Sequence, residues 1–265
     1  EPQHVKQGKI TLPLLDAMGI RHEILSQDET EFRSQLDGAV RHMSETGEAF
    51  AFIVRKNTFE PYTLQRHEVN EYPLSREEAI QKVAASLSAK DVIVSTTGMI
   101  SRELFEYRTA QGQGHERDFL TVGSMGHASQ IALGIALEKT DRRVWCFDGD
   151  GAALMHLGSV AIIADKAPEN FVHVIFNNGA HDSVGGQPTV GLKVNLAGIA
   201  KAAGYKDAVS VTTAEDLGSA LKVLKTMRGP VLLEVRVHRG NRKDLGRPTT
   251  TPIQNRDALM EFMGK

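Results

Sequence analysis

Cysteine is nearly absent from this sequence, which has one, Cys146, among 265 residues. A single cysteine excludes an internal disulfide, and its position inside an apolar stretch makes core packing its expected role. Tryptophan is equally scarce, with one residue, and no apolar run reaches the 18 residues typical of a transmembrane helix. Stability must therefore come from ordinary packing of a hydrophobic core, which an apolar content of 41% allows.

An excess of either charge is also missing. The 31 lysines and arginines nearly balance the 33 aspartates and glutamates, which gives a net charge of −2. Nucleic-acid-binding and membrane-surface proteins typically have a basic excess, so neither kind of partner is expected here. Residues 1–9 are polar and do not form a secretory signal peptide. We therefore predict a soluble, cytoplasmic protein.

Two apolar segments in the middle of the chain predict neighbouring parallel strands. Residues 143–147 and 171–176 are rich in Val, Ile, Phe and Trp. The first is followed by Gly149-Asp150-Gly151, the second by Asn177-Asn178, and an apolar helical segment lies between them. This pattern indicates a strand–helix–strand unit. The carboxyl ends of its two strands meet at one edge of a sheet, where open parallel sheets bind ligands.

The alternation of strands and helices continues along the chain after residue 91. The six predicted strands cover residues 92–95, 118–122, 143–147, 171–176, 208–211 and 231–237. Such alternation predicts an α/β fold with a doubly wound parallel sheet. Residues 1–60 contain only a helix–strand–helix–strand fragment, so we expect a partial second α/β domain whose first part is absent. A linker over residues 61–74 then leads to the main domain, residues 75–265.

Asp150 and Asn178 offer one carboxylate oxygen and one amide oxygen at adjacent strand ends, 28 residues apart. Mg²⁺ prefers oxygen ligands of this kind and commonly bridges a protein to phosphate groups. The glycines beside Asp150 open a helix, and the amides and positive dipole end of a helix N-terminus favour a diphosphate. The pattern therefore indicates a Mg²⁺ site at which a diphosphate-containing cofactor binds.

The motif Gly149-Asp150-Gly151, followed at this spacing by Asn177-Asn178, resembles that of the thiamine diphosphate-dependent decarboxylases. The resemblance implies thiamine diphosphate and Mg²⁺ as cofactors, with the metal held by Asp150, Asn178 and the backbone carbonyl of Ala180. The cofactor-binding residues that it implies are Thr97, Gly98, Gly123, Ser124, Met125, Asp150, Gly151, Ala152, Asn178 and Ala180.

Residues 123–127 read Gly-Ser-Met-Gly-His. The resemblance implies that Met125 wedges between the two rings of the cofactor and bends it. It also implies that the carbonyl of Gly123 accepts a hydrogen bond from the pyrimidine amine. Glycines on either side of the methionine allow the backbone to approach a flat ring closely.

Three stretches narrow the resemblance further. Residues 50–59, 97–104 and 178–189 closely resemble the phosphonopyruvate decarboxylases within this family. The implied reaction is decarboxylation of 3-phosphonopyruvate to phosphonoacetaldehyde and CO₂. More broadly, the predicted substrate is a small 2-oxo acid that bears a phosphonate or a sulfonate group.

A phosphonate or sulfonate substrate needs cationic or hydrogen-bond-donating groups near the reacting carbon. Four residues after predicted strand ends have this chemistry. We predict catalytic roles for His127 and His181, and substrate contacts for Arg102, His181 and Ser183.

The resemblance also bears on assembly. It implies a homo-oligomer, a dimer at least, whose subunits share each active site. It places the glutamate that starts proton transfer early in the pyrimidine-binding domain, of which residues 1–60 resemble only the C-terminal part. Glu23 and Glu29 match no such motif. On this interpretation residues 1–265 by themselves should be inactive.

Three alternatives remain open from the sequence. The first is a sulfopyruvate decarboxylase, whose β-chain resembles the second and third stretches less fully. The second is a nicotinamide-dependent dehydrogenase. Such enzymes typically carry the motif Gly-x-Gly-x-x-Gly, but Gly149-Asp150-Gly151 has no third glycine at that spacing. The third is a non-catalytic chain that needs another polypeptide to complete its site.

Overall fold

The computed structural model describes residues 2–62 and 70–264, with side chains from residue 5 onward. The chain divides into two compact units, residues 1–67 and 68–265, and each is treated by itself below. The predicted linker, residues 61–74, falls largely on residues 63–69, which lie outside the described residues. Across the described ranges, none of the helices combines the length and apolarity that crossing a membrane requires.

The first unit has the predicted helix–strand–helix–strand order. Its elements are α1 (Pro2–Ala17), β1 (Arg21–Ile24), α2 (Glu29–Thr46) and β2 (Phe50–Ile53). The strands β1 and β2 pair in parallel, with Arg21 opposite Phe50. Asp28 caps α2 by accepting from the Glu31 N–H, and Gly47 ends the helix in a left-handed conformation with φ of 71°. Among the described residues of this unit, Leu25 and Ala39 alone are buried.

The second unit contains the remaining elements. They are α3 (Arg76–Ser86), β3 (Val92–Ser95), α4 (Met99–Ala110), β4 (Asp118–Leu120), α5 (Ala128–Glu138), β5 (Val144–Gly149), α6 (Asp150–Met155), α7 (Ser159–Lys166), β6 (Phe171–Asn177), β7 (Ala180–His181), β8 (Gln187–Pro188), α8 (Leu196–Ala203), β9 (Asp207–Val211), α9 (Ala214–Leu224), β10 (Val231–Arg236) and α10 (Pro252–Phe262).

Six of these strands form one parallel sheet in the order β4-β3-β5-β6-β10-β9. The chain goes from β3 outward to β4, and then returns to the other side of β3 to form β5. The strand order therefore reverses between β3 and β5, and a ligand crevice is expected at the carboxyl ends of these strands. The predicted doubly wound parallel sheet is confirmed.

Apolar side chains cover both faces of this sheet because successive residues of a strand point to opposite sides. In β5, Trp145 and Phe147 belong to one buried cluster, together with residues of α3, α4 and α9. Val144 and Cys146 belong to the other cluster, together with residues of α5, α7 and α8. Cys146 is buried and packs in the core, as predicted.

One element differs from its prediction. The single helix expected between β5 and β6 is two helices, α6 and α7, separated at residues 156–158. The loop before α5 packs against this break. A Cβ atom on Gly126 would lie 2.5 Å from His156 Cδ2 and 3.0 Å from the Ala152 carbonyl oxygen. The interruption thus coincides with a close approach from a distant segment.

Candidate functional site

The carboxyl ends of β3, β5 and β6 surround a cleft whose empty space is about 410 Å³. The residues that line it come from the strand ends and the segments that follow them. They are Arg76, Thr96, Thr97, Met99, Ile100, Met125, Gly149, Asp150, Gly151, Ala152, Phe176, Asn178, Ala180, His181, Asp182 and Ser183. The cleft therefore lies where the reversal of strand order predicts a ligand.

Asp150 begins α6 and is only 1% exposed. Its hydrogen-bond donors are neutral groups, the hydroxyl of Thr189 and the backbone N–H of Asn178. Burial raises the pKa of Asp150, although these hydrogen bonds oppose the rise. A buried carboxylate with neutral donors has little compensation for its charge, and a bound divalent cation would supply it.

Asn178 follows β6 and is also buried. Its side-chain Oδ1 accepts from the Ala180 N–H at 3.0 Å, and its Nδ2 donates to Asp182 Oδ2 at 2.7 Å. An amide oxygen has a second lone pair, so Oδ1 can still coordinate a cation.

The Ala180 carbonyl is suited to the same task. Ala180 in β7 lies opposite Pro188 in β8, but its neighbours make the cross-strand bonds, since the Thr189 N–H donates to the Gly179 carbonyl at 2.9 Å and the Gly186 N–H to the His181 carbonyl at 3.0 Å. The Ala180 carbonyl therefore points away from β8. A carboxylate, an amide oxygen and a backbone carbonyl are ligand types that Mg²⁺ accepts, so the donor set fits this metal.

Thr96 and Thr97 bring hydroxyl groups to the cleft from the end of β3. Thr96 Oγ1 is buried and, among the groups that the structure describes, has no hydrogen-bond partner. An orphaned hydroxyl at a cleft wall fits a ligand oxygen. Gly98 begins α4 with φ of 103°, and a Cβ there would lie 3.0 Å from the Ser183 Cβ. The segment after β7 is therefore packed closely on the start of α4.

Met125 lines the cleft, while Gly123 and Ser124 precede it in an exposed loop. Gly123 has φ of 76°, a conformation that favours glycine. The loop thus presents the methionine to the cleft and leaves the two residues before it at the surface.

His181 lies against the glycine of the metal motif. A Cβ on Gly151 would overlap the imidazole atoms Cε1 and Nδ1 of His181, and would lie 3.3 Å from its Nε2. His181 and Ser183 are half-buried and both line the cleft, so these two predicted substrate residues come together.

Arg102 and His127 are not brought to the cleft, and the sequence interpretation needs correction here. The Arg102 Nε donates to the Gly246 carbonyl at 2.5 Å, and its Nη2 donates to the Leu245 carbonyl. Arg102 therefore holds the loop before α10. His127 is exposed before α5, with its ring centroid 4.3 Å from that of His156. Proximity to a strand end in sequence did not determine where either side chain points.

Arg76 was missed by the sequence analysis. It is the first residue of α3, it is 4% exposed, and it lines the cleft. Its guanidinium donates to both oxygens of Glu103 at 2.8 Å and to Asp182 Oδ2 at 2.9 Å. Burial opposes the charge, but the carboxylate partners outweigh it and raise the pKa of Arg76. Burial also raises the pKa of Glu103.

Asn177 was quoted as part of the motif without a role. It is fully buried, and its Nδ2 donates to Glu234 Oε1 at 2.6 Å and to the Gly191 carbonyl at 2.9 Å. Its Oδ1 accepts from the Gly179 N–H at 3.1 Å. Asn177 therefore ties the loop after β6 to strand β10.

Gly191 was missed as well. A Cβ at this position would lie 2.7 Å from the Asp150 Cβ and 2.8 Å from Asn177 Oδ1. The absence of a side chain at Gly191 lets the loop close over the metal motif. No sequence pattern around this single glycine indicated the contact.

Comparison with known proteins agrees with this geometry. The family described as "Thiamine pyrophosphate enzyme, C-terminal TPP binding domain" matches residues 96–235, which begin directly after β3 and include the ends of β5 and β6 at the cleft. The chain belongs to the thiamine pyrophosphate enzyme family, and thiamine pyrophosphate (thiamine diphosphate) is the cofactor of the matched domain. The family predicted from the motifs is confirmed, and this decides against a nicotinamide-dependent dehydrogenase.

Two relatives match nearly the whole chain. The phosphonopyruvate decarboxylase of Streptomyces viridochromogenes is 32% identical over 96% of this chain and 66% of its own length. That of Streptomyces hygroscopicus is 32% identical over 99% of this chain and 68% of its own length. The chain thus spans about two thirds of the length of these relatives.

Two further proteins are similar over a smaller part of this chain. The sulfopyruvate decarboxylase subunit beta of Methanocaldococcus jannaschii is 39% identical over 57% of this chain and 77% of its own length. The solved structure of a thiamine diphosphate-dependent 4-hydroxybenzoylformate decarboxylase from Rhodococcus jostii RHA1 aligns with a TM-score of 0.53 at 20% identity. That alignment covers 69% of this chain and 36% of the solved one, and it supports the fold.

Proposed function

We propose that the protein catalyses the thiamine diphosphate- and Mg²⁺-dependent decarboxylation of a 2-oxo acid, with 3-phosphonopyruvate as its substrate and phosphonoacetaldehyde and CO₂ as products. The observation that supports this most is the similarity to two phosphonopyruvate decarboxylases over 96% and 99% of the chain. The cleft supports it independently, because its buried carboxylate and orphaned hydroxyl suit a metal diphosphate.

In this proposal, different residues bind the metal, the diphosphate and the rings of the cofactor. Asp150, Asn178 and the carbonyl of Ala180 hold Mg²⁺. Thr96 and Thr97 donate to phosphate oxygens, as do the amides at the start of α6. Met125 supports the cofactor rings from the loop before α5. When bound, thiamine diphosphate would supply a thiazolium ring whose carbon can add to the 2-oxo group and whose positive charge can accept the electron pair left behind when CO₂ departs.

His181 and Ser183 are the residues that we assign to the substrate. Both line the cleft after the metal loop. The imidazole and the hydroxyl can donate hydrogen bonds to the anionic oxygens of a phosphonate or a carboxylate. The imidazole of His181 can also donate a proton, which suits protonation of the product carbon.

Turnover by the full-length protein tests the proposal. With thiamine diphosphate and Mg²⁺ present, kcat/KM should be higher for 3-phosphonopyruvate than for sulfopyruvate or pyruvate. A chelator should abolish turnover, and added Mg²⁺ should restore it. Decarboxylation of none of the three acids by a cofactor-loaded protein would refute the function.

A sulfopyruvate decarboxylase is the second candidate. It is supported by the 39% identity to the Methanocaldococcus jannaschii subunit, which is higher than the 32% to the phosphonopyruvate decarboxylases but covers 57% of the chain. A kcat/KM that favours sulfopyruvate in the same assay would select this candidate.

A further inference from the structure

Three segments of the second unit converge on one oxygen atom, Oδ2 of Asp182. Arg76 Nη1 donates to it at 2.9 Å, Asn178 Nδ2 at 2.7 Å and the Gly240 N–H at 3.0 Å. Asp182 follows β7 and lines the cleft. Asp182 lies within residues 178–189, but the sequence assigned it no role, and the proposed mechanism does not use it.

The Asp182 contact determines which way the Asn178 amide faces. A carboxylate can only accept hydrogen bonds, so it requires the NH₂ group of Asn178 on its side. The amide oxygen is then on the opposite side, where it accepts from the Ala180 N–H. The reversed amide would set two oxygens against each other at Asp182 and two N–H donors against each other at Ala180. The orientation that Asp182 selects is the one that frees an oxygen for a cation.

Arg76 and Glu103 hold Asp182 in turn. Arg76 forms a two-point contact with Glu103, and the side chains of the pair are 5% and 1% exposed. These residues belong to α3 and α4, so the carboxylate is anchored to two helices. Buried contacts of this kind fix a ligand more tightly than a loop side chain can by itself.

The charges of this group agree with a role beside a metal. Arg76 contributes one positive charge, while Glu103, Asp182 and Asp150 contribute three negative charges when ionised. These four side chains together carry two negative charges, and a net negative charge of this kind favours a cation nearby.

We propose that Asp182, held by Arg76, is a positioning residue that sets the Asn178 amide for coordination of Mg²⁺. It acts through Asn178 and is not itself a ligand. The inference rests on the proposed function, because it assumes the metal site formed by Asp150, Asn178 and Ala180.

A double-mutant cycle on metal affinity tests it. Binding of Mn²⁺, used as the probe for Mg²⁺, is measured by electron paramagnetic resonance on full-length protein in the presence of thiamine diphosphate. Asp182→Ala should weaken Mn²⁺ binding by about 10- to 100-fold, as loss of an outer-shell partner typically does. In an Asn178→Ala background, the same Asp182→Ala change should have almost no further effect.

Additive effects in this cycle would overturn the inference, since Asp182 would then bind the metal by itself or act only on stability. Asp182→Asn keeps the shape and provides the comparison should Asp182→Ala fail to fold. Its neutral amide oxygen has two lone pairs and cannot hold all three donors as the carboxylate does, so its Mn²⁺ affinity should fall between those of the wild type and Asp182→Ala. Wild-type affinity in Asp182→Asn would also count against the inference.

Two further variants separate this inference from the proposed function. Asp150→Asn should abolish Mn²⁺ binding, and normal binding in that variant would overturn the metal site itself. If Asp150→Asn abolishes binding while Asp182→Ala binds normally, only the positioning role fails. Asp244→Ala removes a carboxylate whose side chain is 82% exposed, and it should leave Mn²⁺ affinity unchanged.

Discussion

At the scale of single residues, the buried carboxylate of Asp150 has neutral donors around it. We predict that Asp150→Ala lowers the affinity for thiamine diphosphate in the presence of Mg²⁺ by at least about 100-fold, since loss of a ligand exceeds loss of an outer-shell partner. Titration of the full-length protein with the cofactor measures this. Asp165→Ala, which removes a carboxylate 71% exposed on α7, is the matched control. If Asp150→Ala binds thiamine diphosphate with near-native affinity, the assignment of Asp150 as a metal ligand is wrong.

Met125 provides a second test at this scale. We predict that Met125→Ala lowers kcat by about 100-fold, because a misplaced reacting group can cost that much. The affinity for thiamine diphosphate should change by less than about tenfold, since the metal and the diphosphate contacts remain. Steady-state kinetics and cofactor titration separate the two effects. Met260→Ala, on the exposed side of α10, should change neither. Unchanged turnover in Met125→Ala would make the methionine a packing residue.

The contact between Gly151 and His181 gives a third test. A methyl group on Gly151 would displace the imidazole, so Gly151→Ala should reproduce the kinetic effect of His181→Ala. We expect kcat/KM for the oxo acid to fall by about 10- to 100-fold, which corresponds to roughly 1.5–3 kcal/mol for a hydrogen bond to a charged group. The double variant should be no worse than either single one.

Gly218→Ala is the control for this experiment, because Gly218 lies in α9 with open space around it. It should leave kinetics unchanged and stabilise the protein by about 0.4–1 kcal/mol. Additive losses in the Gly151 and His181 variants would mean that the glycine acts on the cofactor and not through the imidazole.

Some of the residues at the cleft could be predicted from the sequence and others could not, for a physical reason. Asp150 and Asn178 follow adjacent strands, and a parallel sheet brings such ends together wherever the rest of the chain goes. Arg76 depends on Glu103 and Asp182, 27 and 106 residues away, and local pattern holds no information on such contacts. Arg102 was assigned to the cleft because it follows a strand end, yet its guanidinium donates to the Gly246 carbonyl in the loop before α10.

At the scale of elements, the buried ion pair Arg108–Asp118 ties α4 to the edge strand β4. Both side chains are 1% exposed, and the guanidinium contacts both carboxylate oxygens, at 2.8 and 3.0 Å. Burial raises the pKa of Asp118, although its hydrogen bonds to Arg108 oppose the rise. Removing one partner would leave the other charge buried and uncompensated.

We therefore predict that Asp118→Ala lowers the free energy of unfolding of the second unit by about 3–5 kcal/mol. Urea unfolding followed by tryptophan fluorescence measures it, since Trp145 lies in the core of this unit. Glu169→Ala breaks an exposed ion pair, in which the Arg228 side chain is 79% exposed and the Glu169 side chain is 65% exposed. This change should lower the free energy of unfolding by less than about 1 kcal/mol. Equal losses in the two variants would contradict the role of burial.

Elements could be predicted to the extent that their pattern is local. The six strands followed from apolar runs of β-branched and aromatic residues. The capping box of Ser75 and Glu78 at the start of α3 is a local pattern of the same kind. The break between α6 and α7 could not be predicted in this way. It occurs where Gly126 packs against His156, a contact between segments 30 residues apart.

At the scale of the whole molecule, the first unit leaves apolar surface uncovered on its own. On α2, Leu36, Val40 and Met43 follow helical spacing, and they are 37%, 57% and 43% exposed. Two paired strands with two helices make a small core, and such a unit is expected to need further packing. Subunits that share each active site, as expected from the sequence, would provide such packing.

We predict that the full-length protein is a homodimer or a larger homo-oligomer, and that thiamine diphosphate with Mg²⁺ stabilises it by mass action. Sedimentation velocity should show that the oligomer already dissociates at higher protein concentration when the cofactors are absent than when they are present. Asp150→Ala is the control, because its assembly should no longer respond to the cofactors. An active monomer at assay concentration would contradict a shared site.

The pairing of β5 with β6 has a consequence for how relatives of this protein can diverge. Gly149 lies opposite Phe176. Asp150 directly follows Gly149 and Asn178 is two residues after Phe176, so this pairing fixes where the two metal-motif residues lie relative to each other. An insertion in the connection at residues 167–170 would lengthen the interval between Asp150 and Asn178 and leave the pairing unchanged. A one-residue insertion within β6 would instead exchange the faces of Asn177 and Asn178. Lineages should therefore tolerate changes of length in that connection and eliminate them within the strand.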